Sequence, residues 1–471
     1  MKSFILVHYV DYVSLNAPQE SQLKKFLKML EKFFMRLKNM EINLDYGKKG
    51  LNFIPSPNWN VEIIAPKIQE ALSNPVESIE NAIDNPIDSP TLGEIIHKKR
   101  RVEKVCIVVS DATRPVPSKL ILEALTNRLN SLGVADENIL VLVATGLHRG
   151  STKEEHKIIL GPSLYKRLRI IDHNSKDSES LKQCTASKHT YFINKFYSES
   201  DLKIITGYVE PHFFFGFSGG RKSIIPGIAG EESIRKNHSA EMIHSEFSRF
   251  GVYHENLMHK QAIAVAKEVG VDFAVNVCIN EKHQVIKVVT GNFERAHEEL
   301  VRYQLKKVFH PISNLYDIVI CGNGGYPLDL NLYQAVKSMA LGEMAIKKGG
   351  TIISVNECIE GVGIDQDKFK ELLFSNMTPK EIYDKIMNKK ITAIDQWEIQ
   401  VLVRILQKAK IYVISKLKKD ELGNIGLKHA SSINEAIENS LHEYGSQARI
   451  LVLPNGPQVL PLFTKKSEKK I

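Results

Sequence analysis

Between residues 105 and 453, short apolar runs rich in β-branched residues recur, separated by stretches whose apolar positions fall three and four apart. The runs are Val105–Ser110, Ile139–Ala144, Arg169–Asp172, Leu202–Tyr208, Phe273–Cys278, Asp317–Cys321, Thr351–Val355, Ile411–Ile414 and Ile450–Leu453. A strand that is apolar without alternation is covered on both faces, and the helical stretches between runs supply the cover. The pattern predicts an α/β chain of two doubly wound domains with mainly parallel sheets and an active-site cleft between the domains. On this reading residues 41–300 form the first domain, completed by residues 448–465 through a last strand that returns to it, and residues 305–445 form the second. The charged, strand-poor stretch from Glu298 to Pro311 divides them and is the expected hinge.

Ahead of this series, Leu23, Phe26, Leu27, Leu30, Phe33, Phe34 and Leu37 recur at helical spacing among Lys24, Lys25, Lys28, Lys32 and Arg36. Residues 18–40 thus read as a basic amphipathic helix within an N-terminal extension of residues 1–40. It is expected to pack on the main body rather than lie on a membrane, and it carries no catalytic constellation.

Composition narrows the class. At 471 residues with 43% hydrophobic and 25% charged, the chain can bury two cores. Its net charge of +9 is spread along the sequence, which argues against a nucleic-acid partner and leaves at most a modest attraction for anionic substrates. No run approaches the roughly 20 apolar residues that span a bilayer. The opening Phe4-Ile-Leu-Val7 is broken at once by His8 and Asp11, unlike a signal-peptide core, so a cytoplasmic protein with no membrane partner is expected. Five cysteines, four of them in or beside strand runs, read as free thiols in a reducing compartment.

In open parallel sheets ligands bind beyond the carboxyl ends of the strands. Three first-domain strands end in unusual chemistry: Asp111-Ala-Thr113-Arg114-Pro115, Thr145-Gly-Leu-His148-Arg149 and Val209-Glu-Pro-His212. A lone Asp or His there is as readily a helix cap, but three on one rim favour function. The run Phe213-Phe-Phe-Gly-Phe-Ser-Gly219-Gly220-Arg221-Lys222 reads as an anion cradle, with paired glycines letting amides close on a phosphate and Arg221 and Lys222 supplying charge. It is not a Walker A loop, because Arg221 stands where that motif needs its last glycine. His238, followed by His244, His254 and His259, makes a metal plausible, although none of the familiar zinc spacings accompanies them. In the second domain Gly322-Asn-Gly324 leads to Pro327 rather than a third glycine, so a tight turn is favoured over a dinucleotide site. Beyond it Tyr333, Gln334 and Lys337 share one helix face.

Taken in order, Asp111-x-Thr-Arg-Pro, Thr145-Gly-Leu-His, Glu210-Pro-His, Gly216-Phe-Ser-Gly-Gly-Arg-Lys, Asn237-His and Gly322-Asn-Gly-Gly-Tyr-Pro resemble the nickel-pincer lactate racemase family. The likeness runs from about Tyr46 to about Pro461. It implies a racemase or epimerase of a 2-hydroxy acid, most directly lactate. The mechanism implied is hydride transfer to a nickel-pincer nucleotide, with a 2-keto acid intermediate. The cofactor would be attached covalently to Lys222, with nickel held by His238 and with Asp111, Thr113, Gly219, Gly220 and Arg221 around it. His148 and His212 would be the acid/base pair, Arg114 and Lys337 would assist, and Tyr333 and Gln334 would close over the substrate. Cofactor-synthesis proteins acting in trans are also implied.

Three other readings compete. An epimerase of malate, phenyllactate or a sugar acid would share every motif. A nicotinamide-dependent oxidoreductase should show an intact Gly-x-Gly-x-x-Gly, and a non-catalytic nucleotide-binding protein would not need both His148 and His212.

Overall fold

The computed structural model describes residues 41–463 apart from 68, 365 and 394, so the helix expected over residues 18–40 lies outside the described residues. All nine expected strands are present, most of them within one residue of the predicted bounds.

The first sheet runs Val285–Gly291, Phe273–Ile279, Leu202–Tyr208, Val105–Ser110, Ile139–Ala144, Arg169–Asp172. Its pairs are parallel except for the edge strand Val285–Gly291, which turns back antiparallel on Phe273–Ile279. Alternation of side chains across the pleat explains why its central strand is apolar throughout. Val105, Ile107 and Val109 enter a core with Ile79, Ile121 and Leu125 of two covering helices, Pro75–Asp84 and Ser118–Ser131. Cys106 and Val108 enter the other core, with Phe213–Phe215 and Ile224. From Val105–Ser110 the chain winds outward through Ile139–Ala144, and from Leu202–Tyr208 it winds the opposite way. The two central strands therefore flank the crevice where such sheets bind ligands.

The second sheet runs Leu427–His429, Lys410–Ile414, Ile346–Val355, Tyr316–Gly322, Arg449–Leu453, Asn60–Ile63, all parallel. This corrects the expectation that Ile450–Leu453 returns to the first domain. It lies instead between Tyr316–Gly322 and Asn60–Ile63, and the second sheet is closed by a strand from before the first domain. An all-apolar strand records that both of its faces are buried, not which sheet it joins.

The expected hinge is also corrected. Residues Phe293–Val308 are a continuous helix whose apolar face packs on Phe273–Ile279 and Val285–Gly291, capped at its start by Asn292. Its charges lie on the solvent side, which made the stretch look like a linker. The chain crosses between halves just afterwards, where Phe309–Ile312 pairs in parallel with Leu460–Phe463. One apolar core runs on from the Phe213–Phe215 face of the first half into helices Leu332–Glu343 and Gln396–Leu406 of the second.

Candidate functional site

Asp111, at the tip of Val105–Ser110, is 7% exposed. The Thr113 N–H donates to its Oδ1 at 2.9 Å and the Thr113 hydroxyl donates to the same oxygen, while His148 Nδ1 lies 2.8 Å from Oδ2. Burial works to raise the Asp111 pKa, but the His148 hydrogen bond and charge, together with Arg114 and Thr113, hold it at about 2. A carboxylate at Nδ1 fixes the proton there and leaves Nε2 of His148 with a free lone pair. The His148 side chain is 47% exposed.

His212, after Leu202–Tyr208, is dressed in the opposite way. Its Nδ1 accepts from the Phe215 N–H at 3.2 Å and more weakly from the Phe214 N–H at 3.5 Å, so the neutral ring carries its proton on Nε2. Burial and then the charges of Lys222, Lys337 and Arg114 push its pKa well below the imidazole range. Between the two strand ends Glu210 faces the Arg114, Lys337 and Lys222 charges and accepts from the Tyr208 hydroxyl. Burial nonetheless raises its pKa.

The aromatic run is the floor that gathers the remaining groups. The His212 ring centroid lies 5.1 Å from Phe213 and 4.6 Å from Phe214. Phe214 meets His238 edge-on at 5.4 Å, the Lys222 Nζ sits 4.6 Å from the Phe215 centroid, and the Lys337 Nζ sits 5.9 Å from that of Phe213. Burial, and then the charges of Arg221, Arg114 and Lys337, push the Lys222 pKa well below the usual lysine range, which favours the nucleophilic amine form. His238 ends helix Glu231–Asn237 and is 6% exposed, and its Nδ1 has no hydrogen-bond partner among the described residues. Burial and the Lys222 charge depress its pKa to about 3, so the ring is neutral and can serve as a metal ligand.

The cradle reading of the paired glycines is corrected. Gly219 (φ +74°) and Gly220 (φ +52°) turn left-handed, and a Cβ on Gly219 would stand 2.7 Å from the Tyr208 carbonyl oxygen. The Gly220 N–H is spent on Asn276 Oδ1 at 2.9 Å. Arg221 does not face the site: it is fully buried behind the loop and donates to the carbonyl oxygens of Phe215, Phe217, Ser218 and Gly219. Its guanidinium braces the turn that presents Lys222. His244 bonds Tyr383, and His259 packs on Tyr253 at 4.2 Å, so neither joins His238. Among the described residues no three His, Cys, Asp or Glu side chains cluster to hold a metal. A metal at His238 would take its other donors from a cofactor.

From the second half, Lys337 donates to Gln334 Oε1, and Tyr333 is 8% exposed. A segment that sequence reasoning missed joins them. Asp395, in the left-handed region (φ 65°), starts helix Gln396–Leu406 without capping it. Its carboxyl group instead lies near Tyr333 and His148. Trp397 stands 4.9 Å from the His238 ring, and Glu398, 2% exposed with Oε2 unpartnered, faces Lys337. Burial pushes Glu398 up to about 8 and depresses Lys337. Neither spacing nor composition marks these three. The signal available was an Asp at a helix start followed by a tryptophan, one of only two in the chain.

This arrangement has close counterparts. The chain matches the lactate racemase N-terminal domain over residues 46–251 and the lactate racemase C-terminal domain over residues 313–460. It is 38% identical over 427 residues to the lactate racemase of Lactiplantibacillus plantarum, covering 89% of this chain and 99% of that one. The chain belongs to the lactate racemase family. It is thereby an isomerase of the racemase class. The lactate racemase of Thermoanaerobacterium thermosaccharolyticum is 34% identical over 427 residues, covering 89% of this chain and 98% of that one. The structure of that organism's lactate racemase apoprotein superposes with a TM-score of 0.83 at 33% identity, covering 90% of this chain and all of that one. A Thermotoga maritima protein at 18% identity and TM-score 0.60, covering 84% of this chain and all of that one, shares the fold. The family relatives span the segments where sequence resemblance was expected, from Tyr46 onward.

Proposed function

We propose that this protein racemises lactate in the cytoplasm with a nickel-pincer nucleotide attached to Lys222, with His238 as the protein's nickel ligand. The observation that carries the reading is the pair of oppositely dressed imidazoles, His148 and His212, on strands either side of Val105–Ser110, with Lys222 and His238 gathered on the same aromatic floor as His212. The buried amine of Lys222 and the Nδ1 of His238, unpartnered among the described residues, fit such a group. When bound, the cofactor supplies a reversible acceptor for the hydride at the substrate's carbinol carbon.

The protein's own part is proton transfer and placement. His148 Nε2 takes the hydroxyl proton of one enantiomer, the Asp111 carboxylate stabilising the imidazolium that results. His212 serves the other enantiomer, and each ring reprotonates the product of its partner. Arg114 and Lys337 hold the substrate's oxygens, with Gln334 orienting the Lys337 ammonium and Tyr333 closing the cleft. Burial beneath Trp397 and Tyr333 excludes water that would otherwise trap a planar 2-keto acid. Five free cysteines, and no helix among the described residues long and apolar enough to cross a membrane, support the cytoplasmic assignment. On this reading the cofactor is made by other proteins and delivered in trans.

The test is to load the purified chain with cofactor, measure its intact mass and nickel content, and assay enantiopure lactate, malate and phenyllactate. One nickel, an adduct on Lys222 and fastest racemisation of lactate are expected. An unmodified chain that racemises lactate would overturn the tether. Faster turnover of malate or phenyllactate would replace the substrate.

A further inference from the structure

Beside Phe213, with neither His212 nor Lys337 in its wall, lies a cavity of about 200 Å³ lined by Arg249, Glu343, Met344, Arg404 and Lys408. Three cations and one acid leave it with two positive charges in excess. Glu343 is already committed, its carboxylate receiving Arg404 Nη2 at 2.6 Å and Nε at 3.3 Å, and its main-chain oxygen receiving the Lys408 Nζ at 2.7 Å. Arg249 spends Nη1 on the Ser245 and Ser248 carbonyl oxygens. Among the described residues neither Arg249 nor Lys408 has a carboxylate at ion-pair distance, and Arg404 Nη1 is buried without any partner.

Cations partly withdrawn from water are normally paired with an anion, because burial takes away hydration that only an opposite charge replaces. Here the deficit sits across a boundary. Arg249 follows helix Ala240–His244 of the first half, whereas Arg404 and Lys408 belong to the end of helix Gln396–Leu406 in the second. Burial and the neighbouring Arg404 charge depress Arg249 to about 10, so the two guanidiniums repel across the junction.

We propose that this cavity is a second anion site, separate from the substrate cleft, which takes a small oxyanion of the phosphate class and so ties the two halves together. Planar guanidiniums and a lysine converging from two sides suit several oxyanion oxygens at once. Phe213 then links the sites, since its ring walls the cavity and also lies against His212 and Lys337. The inference stands independently of the proposed activity.

Calorimetric titration of the full chain with inorganic phosphate tests it, with Arg249→Gln, Lys408→Gln and Lys337→Gln variants in parallel. One-to-one binding to the unaltered chain is expected, with affinity reduced at least tenfold in the Arg249 and Lys408 variants and unchanged in the Lys337 variant. Phosphate should also raise the melting temperature of the unaltered chain and not that of Lys408→Gln, whose side chain lies at the cavity edge and whose loss leaves the fold intact. No binding to the unaltered chain, binding by both cavity variants as tight as that of the unaltered chain, or loss of binding only in Lys337→Gln would each overturn the proposal.

Discussion

The two histidines at the first-domain rim follow strands that flank Val105–Ser110 on either side in one sheet, yet they rest in opposite tautomers. His148 is half-exposed and pinned through Nδ1 by a carboxylate, so its outward nitrogen accepts a proton. His212 is held through Nδ1 by main-chain N–H groups, so its outward nitrogen donates. A racemase must treat mirror-image substrates even-handedly, but its chain is not mirror-symmetric, and here the asymmetry lies in the partner of a single ring nitrogen. His212 reaches its basic form only when Nδ1 releases the Phe215 amide and takes up the proton itself. The enzyme's two directions therefore begin from unequal resting states.

The largest effect should come from making the two rings alike. Asp111→Asn offers His148 an amide donor where a carboxylate stood, turning the ring so that its outward nitrogen carries the proton. Turnover should fall about 10²–10⁴-fold in steady state with the fold retained. In a single turnover the enantiomer served by His212 should still yield 2-keto acid. Equal single-turnover losses for both enantiomers would show that the rings do not divide the substrate's faces.

A smaller effect sharpens the contrast. Lys337→Met removes one of the charges that depress His212, so the His212 pKa should rise. The acid limb of kcat/KM for the His212-dependent enantiomer should move to higher pH, while the limb for the other enantiomer stays in place. A common shift for both would mean that the charge acts on the cleft as a whole.

The smallest effect concerns stability. His173 and His238 are buried neutral, burial being the main cause that lowers them to about 4 and about 3. The unfolded chain binds protons at these rings from about pH 6.5 downward, where the folded chain does not. Their contribution is complete above that pH and is lost as pH falls through 4 toward 3. Melting temperature should therefore decline steadily below pH 6.5, and His173→Asn should flatten the upper part of that decline. A melting temperature constant from pH 6.5 to 4 would refute the assignment.

The fold was legible where burial was total. The nine strands predicted from unbroken apolar runs are present, because a strand covered on both faces has no polar alternative at any position. The strands that escaped notice carry mixed text: the hairpin Leu181–Ala186 with His189–Asn194 exposes much of one face, and Val285–Gly291 is an edge. The rim residues were legible because each follows such a run directly. Arg221 was misread because charge beside paired glycines resembles an anion loop. Only the surrounding carbonyl oxygens, contributed by the loop's own folding, reveal that the guanidinium points inward. Asp395, Trp397 and Glu398 were missed because they reach the cleft from a helix start of the second half, and a linear pattern carries no record of which distant helix start will face which strand end.

The strand Asn60–Ile63 bears on how the molecule comes into being. During synthesis it emerges before any strand of the first sheet, yet its only strand partner among the described residues is Arg449–Leu453, almost four hundred residues later. The first half, whose strands all lie between residues 105 and 291, can settle while the ribosome is still at work. The early strand meanwhile waits with its edge unsatisfied, an invitation to wrong partners that favours shelter by a chaperone. Helices Leu332–Glu343 and Gln396–Leu406, which carry Lys337, Tyr333 and Trp397, also follow the whole first sheet in the chain, so the surroundings of Lys222 and His238 leave the ribosome before them. Maturation is thus ordered by the thread of the backbone itself, with the first sheet complete first and the closing strand of the second last.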